Sequence, residues 1–504
     1  MNTAKLPDNV IITTENGAVT DAKMRFEASD SSLKAYLYAK EDKPAFVRLE
    51  WHTETPNGAL MLGDTWERSY GDLCWDKFSG EFIAPWYFLC MNSTDITAIG
   101  VRVRPSAFVS FKVTHEKTAA LLDVRNGGMG VALGGRELLA AEFVRREYSG
   151  SAYKALSDFC GVMCTDPILP DEPIYGGNNW YYAYGNSSRE RILLDAAYQA
   201  KIAGNAENRP FMVIDDGWQI NPHKGPWLPN ERFGNMAEIA AEMKKIGVEP
   251  GIWVRFLCDD SEEIPDEWRL PKYAENKGAL DPTVPQVKER IAADIKRIRD
   301  WGYRLIKHDF TFYDIFGAYS FDFSKEKVGS DGWSFYDKSK TTAEIIKDLY
   351  KLILDSAEDM LILGCNTVSH LSAGLVHIYR TGDDTSGYEW YRICKYGVNT
   401  LAFRLPQHNK FYAVDADCVG ILEIPWEDNV KWLFLLANSG TPLFVSLADG
   451  SLSPEQFEIM KSAYAKAAVQ KDTLIPLDWE TNKVPADWLI NGEEKHFDWN
   501  YNEQ

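Results

Sequence analysis

Two apolar segments of this sequence end in acidic residues that stand close to basic ones. In YRLIKHDFTF, Lys307 lies two positions before Asp309. Side chains alternate along a β-strand, so Lys307 and Asp309 would share one face of a strand while His308 points the other way. A carboxylate beside an ammonium group stays ionised at neutral pH, which is the state that a nucleophile needs. The same two residues could equally form a structural ion pair.

The second acidic segment is HIYRTGDDTSG. Arg380 and Asp384 have the same parity in this segment, whereas Asp383 has the other. Parity therefore favours Asp384 as the carboxyl group that faces a site together with Arg380. Adjacent Asp residues are also common in ordinary turns, and Asp383 remains the alternative.

Two further apolar segments end in groups that can bind a polar ligand. Asp215 and Asp216 end the segment VIDDGW and offer acceptors for hydroxyl groups, although a turn or a metal site could use the same residues. A metal is less favoured, because no His/Asp cluster accompanies them. Trp253 and Arg255 share one face of GIWVRF, where both could equally be packing residues.

Two later segments also end in polar groups. Cys365 and Asn366 stand in LGCNT, directly after an apolar stretch. Asp415 and Asp417 stand in AVDADC. For this Asp pair, structural hydrogen bonding is the favoured interpretation, since buried polar groups are nearly always hydrogen-bonded.

All of these segments belong to a regular alternation of short apolar strands and amphipathic helices that begins near residue 173. The predicted strands are 174–180, 211–218, 250–256, 304–311, 361–367, 377–383, 411–419 and 442–446. Eight strand–helix units over about 295 residues predict a (β/α)8 barrel. A doubly wound sheet is the alternative, but no GxGxxG follows the first strand. Catalytic groups of such barrels lie at the C-terminal ends of the strands, where the polar residues above fall.

The chain outside the barrel has a different pattern. Residues 1–165 contain short strands separated by Gly, Asn and Asp, which predicts an N-terminal antiparallel β-sandwich domain. A helix over 152–164 leads into a Pro-rich linker. We therefore expect a barrel domain over 170–470. Residues 471–504 are too few for another domain and predict a short β or irregular segment.

Charge and composition exclude several functions. The net charge of -20 is opposite to what a surface that tracks phosphates needs, so neither nucleic acid nor an anionic membrane is an expected partner. The eight cysteines lack zinc-ligand spacing, and we expect no metal and no cofactor. The first residues contain no apolar run of a signal peptide, which predicts a cytoplasmic protein, although a processed secreted or periplasmic form is possible.

Taken together, the segments resemble the α-galactosidases of glycoside hydrolase family 36 over roughly residues 174–468, with a weaker similarity over residues 62–75. The family's KxDF motif, which contains its nucleophile, is matched by residues 307–310. Its R-x-G-x-D-T segment, which contains its acid/base, is matched by residues 380–385. The resemblance therefore implies Asp309 as nucleophile and Asp384 as acid/base. The Arg-to-Asp spacing and the following Thr select Asp384 over Asp383.

The resemblance also implies how a sugar would be bound. It assigns substrate contacts to Asp215, Asp216, Lys307, Arg380, Trp253, Trp180, Cys365, Asn366 and Trp66. Asp215 and Asp216 would hold the 4- and 6-hydroxyls of galactose, and Arg380 would lie near C2. Trp66, in the segment at 62–75, would reach over the site or serve in packing.

The expected reaction is exo-acting hydrolysis of a terminal α-galactoside by double displacement, with an oligosaccharide or glycoconjugate as substrate. The carboxyl groups of a retaining enzyme are expected at about 5–5.5 Å. Asn366 stands where the family is expected to have Gly. The sequence therefore does not decide which substituent the substrate sugar carries at C2. An α-N-acetylgalactosaminidase, a β-L-arabinopyranosidase, a galactosyl transferase of the raffinose-synthase type and a non-catalytic sugar-binding protein remain alternatives.

Overall fold

A computed structural model describes residues 5–271, 278–469 and 474–501 of the chain. The N-terminal part forms two antiparallel sheets that pack face to face, as the pattern predicts. Their strands are β1 (Asn9–Thr14), β2 (Lys23–Ala28), β3 (Ser32–Tyr38), β4 (Pro44–His52), β5 (Leu60–Gly63), β6 (Asp76–Lys77), β7 (Glu81–Pro85), β8 (Tyr87–Asn92), β9 (Asp95–Val101), β10 (Phe108–Thr114), β11 (Lys117–Asp123) and β12 (Glu137–Ser149). One sheet has the order β1-β4-β11-β10-β7, and the other β2-β3-β12-β9-β8-β5-β6.

Apolar residues at alternate positions fill the space between these sheets. In β4, Val47, Leu49 and Trp51 are buried. Trp51 meets Phe143 of the opposite sheet with a ring-centroid distance of 5.9 Å. A period of two places one face of each strand in a shared core, which is the physical basis of a sandwich.

The second part is a parallel barrel. Its strands are β13 (Tyr175–Asn178), β14 (Phe211–Ile214), β17 (Glu249–Val254), β18 (Leu305–His308), β19 (Leu361–Gly364), β20 (Ile378–Arg380), β21 (Ala413–Asp415), β22 (Cys418–Gly420) and β23 (Leu443–Ser446). They are ordered β21-β20-β19-β18-β17-β14-β13-β23-β22. The predicted seventh strand is thus split into β21, which pairs with the sixth strand, and β22, which pairs with the eighth. The (β/α)8 barrel with an N-terminal sandwich is therefore confirmed.

Buried apolar side chains fill the barrel interior, among them Leu305, Val213, Leu363 and Phe444. Most of the strands end earlier than predicted, because the chain there bends into the loops that carry the polar residues. An antiparallel hairpin, β15 (Gln219–Asn221) and β16 (Lys224–Pro229), follows the second barrel strand.

The first helix packs against strands β9 and β12 of the sandwich, and the others follow the barrel strands. The helices are α1 (Ala152–Met163), α2 (Trp180–Ala183), α3 (Arg189–Ala203), α4 (Met236–Ile246), α5 (Pro285–Asp300), α6 (Thr311–Phe316), α7 (Thr342–Ala357), α8 (Ser369–Ser372), α9 (Trp390–Arg392), α10 (Asn399–Arg404), α11 (Trp426–Ala437) and α12 (Pro454–Ala467). Capping residues fix where several helices begin. At the start of α7, the Thr341 side chain accepts a hydrogen bond from the backbone N–H of Glu344, and the Glu344 carboxylate accepts one from the backbone N–H of Thr341. Within the described residues, no helix is long and apolar enough to cross a membrane.

A small three-stranded sheet ends the described chain. It consists of β24 (Leu474–Pro476), β25 (Asp487–Ile490) and β26 (Glu493–His496). Trp479 beside it packs against Trp75 of the N-terminal part at 5.6 Å and Phe403 of the barrel at 5.3 Å. The short C-terminal segment thus contacts both larger parts.

Candidate functional site

The fourth barrel strand carries the residues on which the candidate site centres. Asp309 directly follows β18 and is 6 % exposed. Trp253 Nε1 donates to Asp309 Oδ2 at 2.9 Å, and Asn366 Nδ2 donates to Oδ1 at 2.6 Å. Burial raises the pKa of Asp309, but the charge of Lys307 and the two hydrogen bonds outweigh it and hold the pKa below its usual value. Asp309 is therefore a carboxylate at neutral pH.

The backbone beside Asp309 is strained. Phe310 has φ 64° and Asn366 has φ 51°, in the left-handed region that bulky residues rarely enter. In this conformation the backbone N–H of Phe310 donates to Asp309 Oδ1 at 2.8 Å. Arg255, paired with Asp314, stacks over the Phe310 ring at 4.5 Å. Asn tolerates this region better than other residues with a side chain, which explains how Asn366 fits where Gly was expected.

Two buried polar atoms beside the carboxylates have no hydrogen-bond partner among the described residues. They are Oδ1 of Asn366 and Nε of Arg380, in side chains that are each 2 % exposed. A buried group left unpaired costs about 1–3 kcal/mol. A ligand hydroxyl, which both donates and accepts, would remove that cost at either atom. Within the part of the chain that the structure describes, the site thus contains two polar atoms without a partner beside its carboxylates.

Asp215 and Lys307 form an ion pair across the barrel mouth. Lys307 Nζ donates to Asp215 Oδ2 at 2.7 Å, and Asn178 Nδ2 donates to the same oxygen at 2.7 Å. Burial lowers the pKa of Lys307, but the charges of Asp215 and Asp309 outweigh it and raise the pKa above its usual value. Lys307 is therefore a cation that links two carboxylates.

Asp216 has different surroundings from Asp215. Its Oδ1 accepts from Gln219 Nε2 at 2.6 Å and from the backbone N–H of His223 at 3.0 Å, and its Oδ2 contacts His223 Nδ1. The structure thus brings Asp215 into the cluster, whereas both oxygens of Asp216 are engaged by the β15–β16 hairpin.

Arg380 ends the sixth strand and is fixed by the broken seventh strand. Asp417 lies at the break with φ 74°, and its Oδ2 contacts Arg380 Nη2 at 2.5 Å. The same oxygen accepts from the backbone N–H of Thr385 at 2.7 Å and from the hydroxyl of Tyr181. Asp415 Oδ1 accepts from the backbone of Asp417 at 3.0 Å. The Asp pair thus makes structural hydrogen bonds, as expected.

Asp383 and Asp384 lie in an arginine cluster. Arg68 Nη2 and Arg392 Nη2 contact the two oxygens of Asp383 at 2.8 and 3.4 Å. Arg380 and Arg68 both contact Asp384 through its Oδ1, at 3.2 and 3.6 Å. Side-chain exposure is 20 % for Asp383 and 39 % for Asp384. Asp384 is therefore the more accessible carboxyl group. Because β20 ends at Arg380, strand parity does not extend to either residue.

The charges around Asp384 set its protonation. Packing around the carboxyl raises the pKa of Asp384, but Arg380, Arg68 and Lys307 outweigh that effect and hold the pKa below its usual value. The carboxyl group is therefore ionised in the free protein at neutral pH.

Arg68 comes from the N-terminal sandwich, in the connection between β5 and β6. A buried ion pair between Asp64 Oδ1 and Arg404 Nη2 at 2.6 Å holds this connection against the barrel. The backbone N–H of Ser69 donates to Thr381 O at 2.7 Å, which extends the sixth strand by a parallel bridge. The sandwich thus supplies a cation to the barrel mouth through a rigid attachment.

Trp66, predicted in the same connection, is not brought into the carboxylate cluster. It is 3 % exposed and packs against Phe108 and His370 with ring-centroid distances of 5.4 and 5.8 Å. The structure therefore gives Trp66 the packing position that was its alternative. Arg68, two residues later, is the residue of this segment that reaches the site.

Trp180 and Cys365 lie next to residues of the carboxylate cluster. The backbone N–H of Trp180 donates to Asn178 Oδ1 at 2.8 Å, and its ring meets Tyr184 at 5.1 Å. Cys365 is buried, and burial together with the charge of Asp309 raises the pKa of its thiol. His308 lies on the other side of β18 against Phe256, as parity predicts.

Four residues that contact the candidate site were not predicted from the sequence: Arg68, Asn178, Tyr181 and Arg392. Asn178 follows the first strand in GGNNW, so its position at a strand end was a usable signal. Arg68 and Arg392 lie in connections outside the barrel strands, and no spacing in the sequence connects them with Asp384. Within residues 5–271, 278–469 and 474–501, no group of three or more His, Cys, Asp or Glu side chains is placed to hold a metal ion.

Comparison with known proteins gives structural matches but no sequence matches. No protein-family model and no curated protein matches the chain. The α-galactosidase of Thermus thermophilus, solved with p-nitrophenyl α-D-galactopyranoside, superposes with a TM-score of 0.66 at 15 % identity, over 95 % of this chain and 99 % of that one. The family 36 α-galactosidase AgaA of Geobacillus stearothermophilus, solved with raffinose, has a TM-score of 0.63 at 13 % identity, over 90 % and 69 %. This chain has the fold of these α-galactosidases.

A third match, from Lactobacillus brevis, covers 94 % of this chain and 72 % of the other at 11 % identity and a TM-score of 0.61. The shared fold includes both large parts of the chain, because the matched share exceeds what the barrel alone provides. Identities this low show the fold alone, and the chemistry must be argued from the side chains.

Proposed function

We propose that this protein is a retaining, exo-acting α-galactosidase-type glycoside hydrolase with Asp309 as nucleophile and Asp384 as acid/base. The proposal rests on one observation. Lys307, Trp253 and Asn366 keep the Asp309 carboxyl group ionised. A second, more exposed carboxyl group, that of Asp384, lies among arginines at the same barrel mouth. Two carboxyl groups in different surroundings are what double displacement needs. The galactosides bound in the solved structures of this fold support the choice of sugar.

In the proposed mechanism, Asp309 attacks the anomeric carbon and Asp384 gives a proton to the leaving oxygen. Water then hydrolyses the glycosyl–enzyme while Asp384 accepts the proton. Lys307 and the Trp253 indole keep Asp309 ionised and oriented. Because Asp384 is ionised in the free protein, we expect it to take up its proton when the substrate binds, and the proposed enzyme to favour mildly acidic pH.

The sugar pocket would be formed by Asp215, Lys307, Asn366 and Arg380. The orphaned amide oxygen of Asn366 and Nε of Arg380 would bind a hydroxyl near C2. A free hydroxyl can satisfy both groups, whereas an acetamido group would also have to fit beside the buried Asn366 side chain. This arrangement supports a galactose-like ring over an N-acetylated one.

A second candidate function is a β-L-arabinopyranosidase. L-arabinopyranose has the hydroxyl pattern of galactose without the C6 group. Asp216, which the resemblance assigns to the 4- and 6-hydroxyls, has both oxygens engaged by Gln219 and His223. A site whose Asp216 is already paired has less need of a 6-hydroxyl, and this observation favours the pentose.

Hydrolysis of aryl glycosides followed by proton NMR of the anomeric product tests the proposal. We expect turnover of p-nitrophenyl α-D-galactopyranoside or p-nitrophenyl β-L-arabinopyranoside, with the anomeric configuration retained in the first product formed. Inversion would overturn the assignment of Asp309 as nucleophile. Product analysis at high acceptor concentration separates hydrolysis from sugar transfer, and sugar binding without turnover would indicate a non-catalytic protein.

A further inference from the structure

A buried acid lies beside the arginine that contacts Asp384. Glu67 stands next to Arg68 in the connection between β5 and β6, and its side chain is fully buried. Its Oε1 lies 4.0 Å from Arg68 Nε. Burial raises the pKa of Glu67 to about 7, although the charge of Arg68 opposes this effect. Glu67 therefore changes its charge near neutral pH, close to a cation of the candidate site.

A chain of polar contacts connects Glu67 with Asp384. Arg68 Nε donates to the Tyr70 hydroxyl at 3.3 Å, and that hydroxyl donates to Glu67 Oε1 at 3.1 Å. The other end of the same guanidinium group contacts Asp383 Oδ1 at 2.8 Å and Asp384 Oδ1 at 3.6 Å. The positive charge of Arg68 thus lies between Glu67 on one side and two carboxylates on the other.

The groups around Glu67 keep one charge state across the neutral pH range. Arg404 Nη2 donates to the backbone oxygen of Glu67 at 2.7 Å, and Arg404 is itself paired with Asp64. Burial raises the pKa of each neighbouring tyrosine, so these side chains stay neutral. The groups lie in the β5–β6 connection, the loop after β18, α7, β20 and α10, and they are Arg68, Tyr70, Tyr319, Tyr350, Tyr379 and Arg404. Glu67 is thus the group in this set that titrates near neutral pH.

A tie between two loops does not by itself explain an acid at this position. Glu67 Oε2 accepts from the backbone N–H of Ser320 at 2.7 Å, which joins the β5–β6 connection to the loop after β18. A neutral amide could accept the same hydrogen bond, whereas a buried carboxylate is costly unless its charge is closely paired. The cation beside it, Arg68, lies 4.0 Å away, beyond direct hydrogen-bond distance. The charge of Glu67 is therefore only loosely paired, and its effect extends past Arg68.

The charge of Glu67 opposes the effect of Arg68 on Asp384. Arg68 is one of the cations that hold the pKa of Asp384 below its usual value. A negative charge beside Arg68 offsets part of that effect, because a nearby like charge favours the protonated form of a carboxyl group. Below about pH 7 Glu67 is neutral, and Arg68 acts on Asp384 unopposed. Above that pH, the ionised Glu67 raises the affinity of Asp384 for a proton.

We propose that Glu67 is a positioning residue for the acid/base group: its ionised form offsets the charge of Arg68, so that a larger fraction of Asp384 keeps its proton at neutral and alkaline pH. The inference rests on the proposed function, because it concerns the proton that Asp384 gives to the leaving oxygen. Glu67 acts through Arg68 and is not itself a catalytic residue.

The experiment measures kcat/KM against pH for two substrates that share the cleaved sugar. Methyl α-D-galactopyranoside needs a proton on its leaving oxygen, whereas α-D-galactopyranosyl fluoride needs little help from an acid. With the methyl glycoside, the decline of wild-type kcat/KM with rising pH should become less steep near pH 7, where Glu67 ionises. We call this change of slope the bend.

Glu67→Gln keeps the shape of the side chain and removes its charge. With the methyl glycoside, the variant should match the wild type near pH 5, where Glu67 is neutral, and should lack the bend. Near pH 9 it should be about threefold to tenfold slower, which corresponds to a change of about half to one pH unit in the proton affinity of Asp384. With the fluoride, the two proteins should agree at every pH.

A second variant keeps the acid. Tyr70→Phe removes the hydroxyl whose hydrogen bond lowers the pKa of Glu67, so the bend should move to higher pH. The matched control is Asp195→Asn. Asp195 is also fully buried and also accepts from a tyrosine hydroxyl, that of Tyr182 at 2.6 Å, and from a backbone N–H, that of Asp449 at 2.8 Å, but it lies on α3. The control should leave both profiles unchanged.

Each outcome bears on a different statement. A loss in Glu67→Gln that grows with pH, occurs with the methyl glycoside alone and is absent from Asp195→Asn supports the inference. A loss that is equal at every pH or with both substrates, or no loss at all, would overturn it and leave the proposed function intact. If Glu67→Gln does not fold, Tyr70→Phe decides, since a bend that stays in place would also overturn the inference. A wild-type protein that is inactive on both substrates would overturn the galactosidase proposal and this inference with it.

Discussion

Arg68 of the N-terminal sandwich lies 3.6 Å from the carboxyl oxygen of Asp384 at the mouth of the barrel. The guanidinium group is almost completely buried, with 7 % of its side chain exposed, and it also contacts Asp383 at 2.8 Å. A cation so close to a carboxyl group stabilises the ionised form. The sandwich is therefore part of the electrostatics of the candidate site and more than a neighbouring domain.

The first prediction concerns the pH range of activity. Arg68 lowers the pKa of Asp384, so replacing it in Arg68→Met should raise that pKa and keep the acid form present at higher pH. We expect the alkaline limb of kcat/KM, for a substrate with a poor leaving group, to move up by about one pH unit. A purely structural role would lower activity at every pH without moving the limb. Arg304→Met, at the opposite end of the barrel, is the control.

The second prediction concerns the amide that holds the nucleophile. Asn366 donates to Asp309 Oδ1 at 2.6 Å and lowers the pKa of that carboxyl. Asn366→Gly removes the donor in a backbone conformation that Gly adopts freely, so the fold should be kept. The acidic limb of kcat/KM should then move to higher pH. Asn366→Asp, which adds a negative charge, should move it further, and an unchanged limb in both variants would contradict this role for Asn366.

The third prediction separates the two carboxyl groups. Asp309→Asn should lower turnover of every substrate by at least about a thousandfold, because no nucleophile remains. Asp384→Asn should slow a substrate with a poor leaving group by about 10²–10⁴-fold, but affect an activated aryl glycoside much less. Asp383→Asn is the matched comparison, since it has the same chemistry one residue away. If Asp383→Asn shows the leaving-group dependence instead, the acid/base assignment moves to Asp383.

Much of this architecture was predictable from local patterns. The barrel followed from repeated apolar strands and amphipathic helices, and strand parity put Lys307 and Asp309 on one face and His308 on the other. Parity failed as an argument for Asp384, because β20 ends at Arg380 and the chain then turns. The choice of Asp384 there depends on the motif spacing and on its contacts with Arg68 and Arg380.

Contacts between distant parts of the chain could not be predicted. Arg68 reaches Asp384 only because Asp64, four residues earlier, is buried against Arg404, 340 positions further on. Nothing in a single sequence shows such a pair. The position of Asp216 depends likewise on His223 in a hairpin whose geometry no period in the sequence encodes. The motif IDDGW therefore suggested equal roles for two carboxylates that the fold treats differently.

The fourth prediction tests the attachment of the sandwich. Asp64 and Arg404 are fully buried and paired at 2.6 Å. Arg404→Met leaves a buried carboxylate without its cation and should lower the free energy of unfolding by about 3–5 kcal/mol, measured by urea denaturation. Adding Asp64→Leu should restore much of the loss. Arg25→Met breaks a solvent-exposed pair with Glu137 and should have a much smaller effect on the free energy of unfolding. A similar small cost for Arg404→Met would show that the attachment does not depend on this pair.

The fifth prediction concerns the choice between hexose and pentose. His223 engages Asp216 from the β15–β16 hairpin and is 65 % exposed, so His223→Ala should leave the fold intact. The change frees one oxygen of Asp216 to accept a hydrogen bond from a 6-hydroxyl, which galactose has and L-arabinopyranose lacks. We therefore expect the ratio of kcat/KM for the α-galactoside over the β-L-arabinopyranoside to rise by about tenfold to a hundredfold, the effect of one hydrogen bond to a charged group. His115→Ala, a histidine in the sandwich, is the control. A ratio that stays constant while both activities fall would show that the His223–Asp216 contact supports the loop and does not select the sugar.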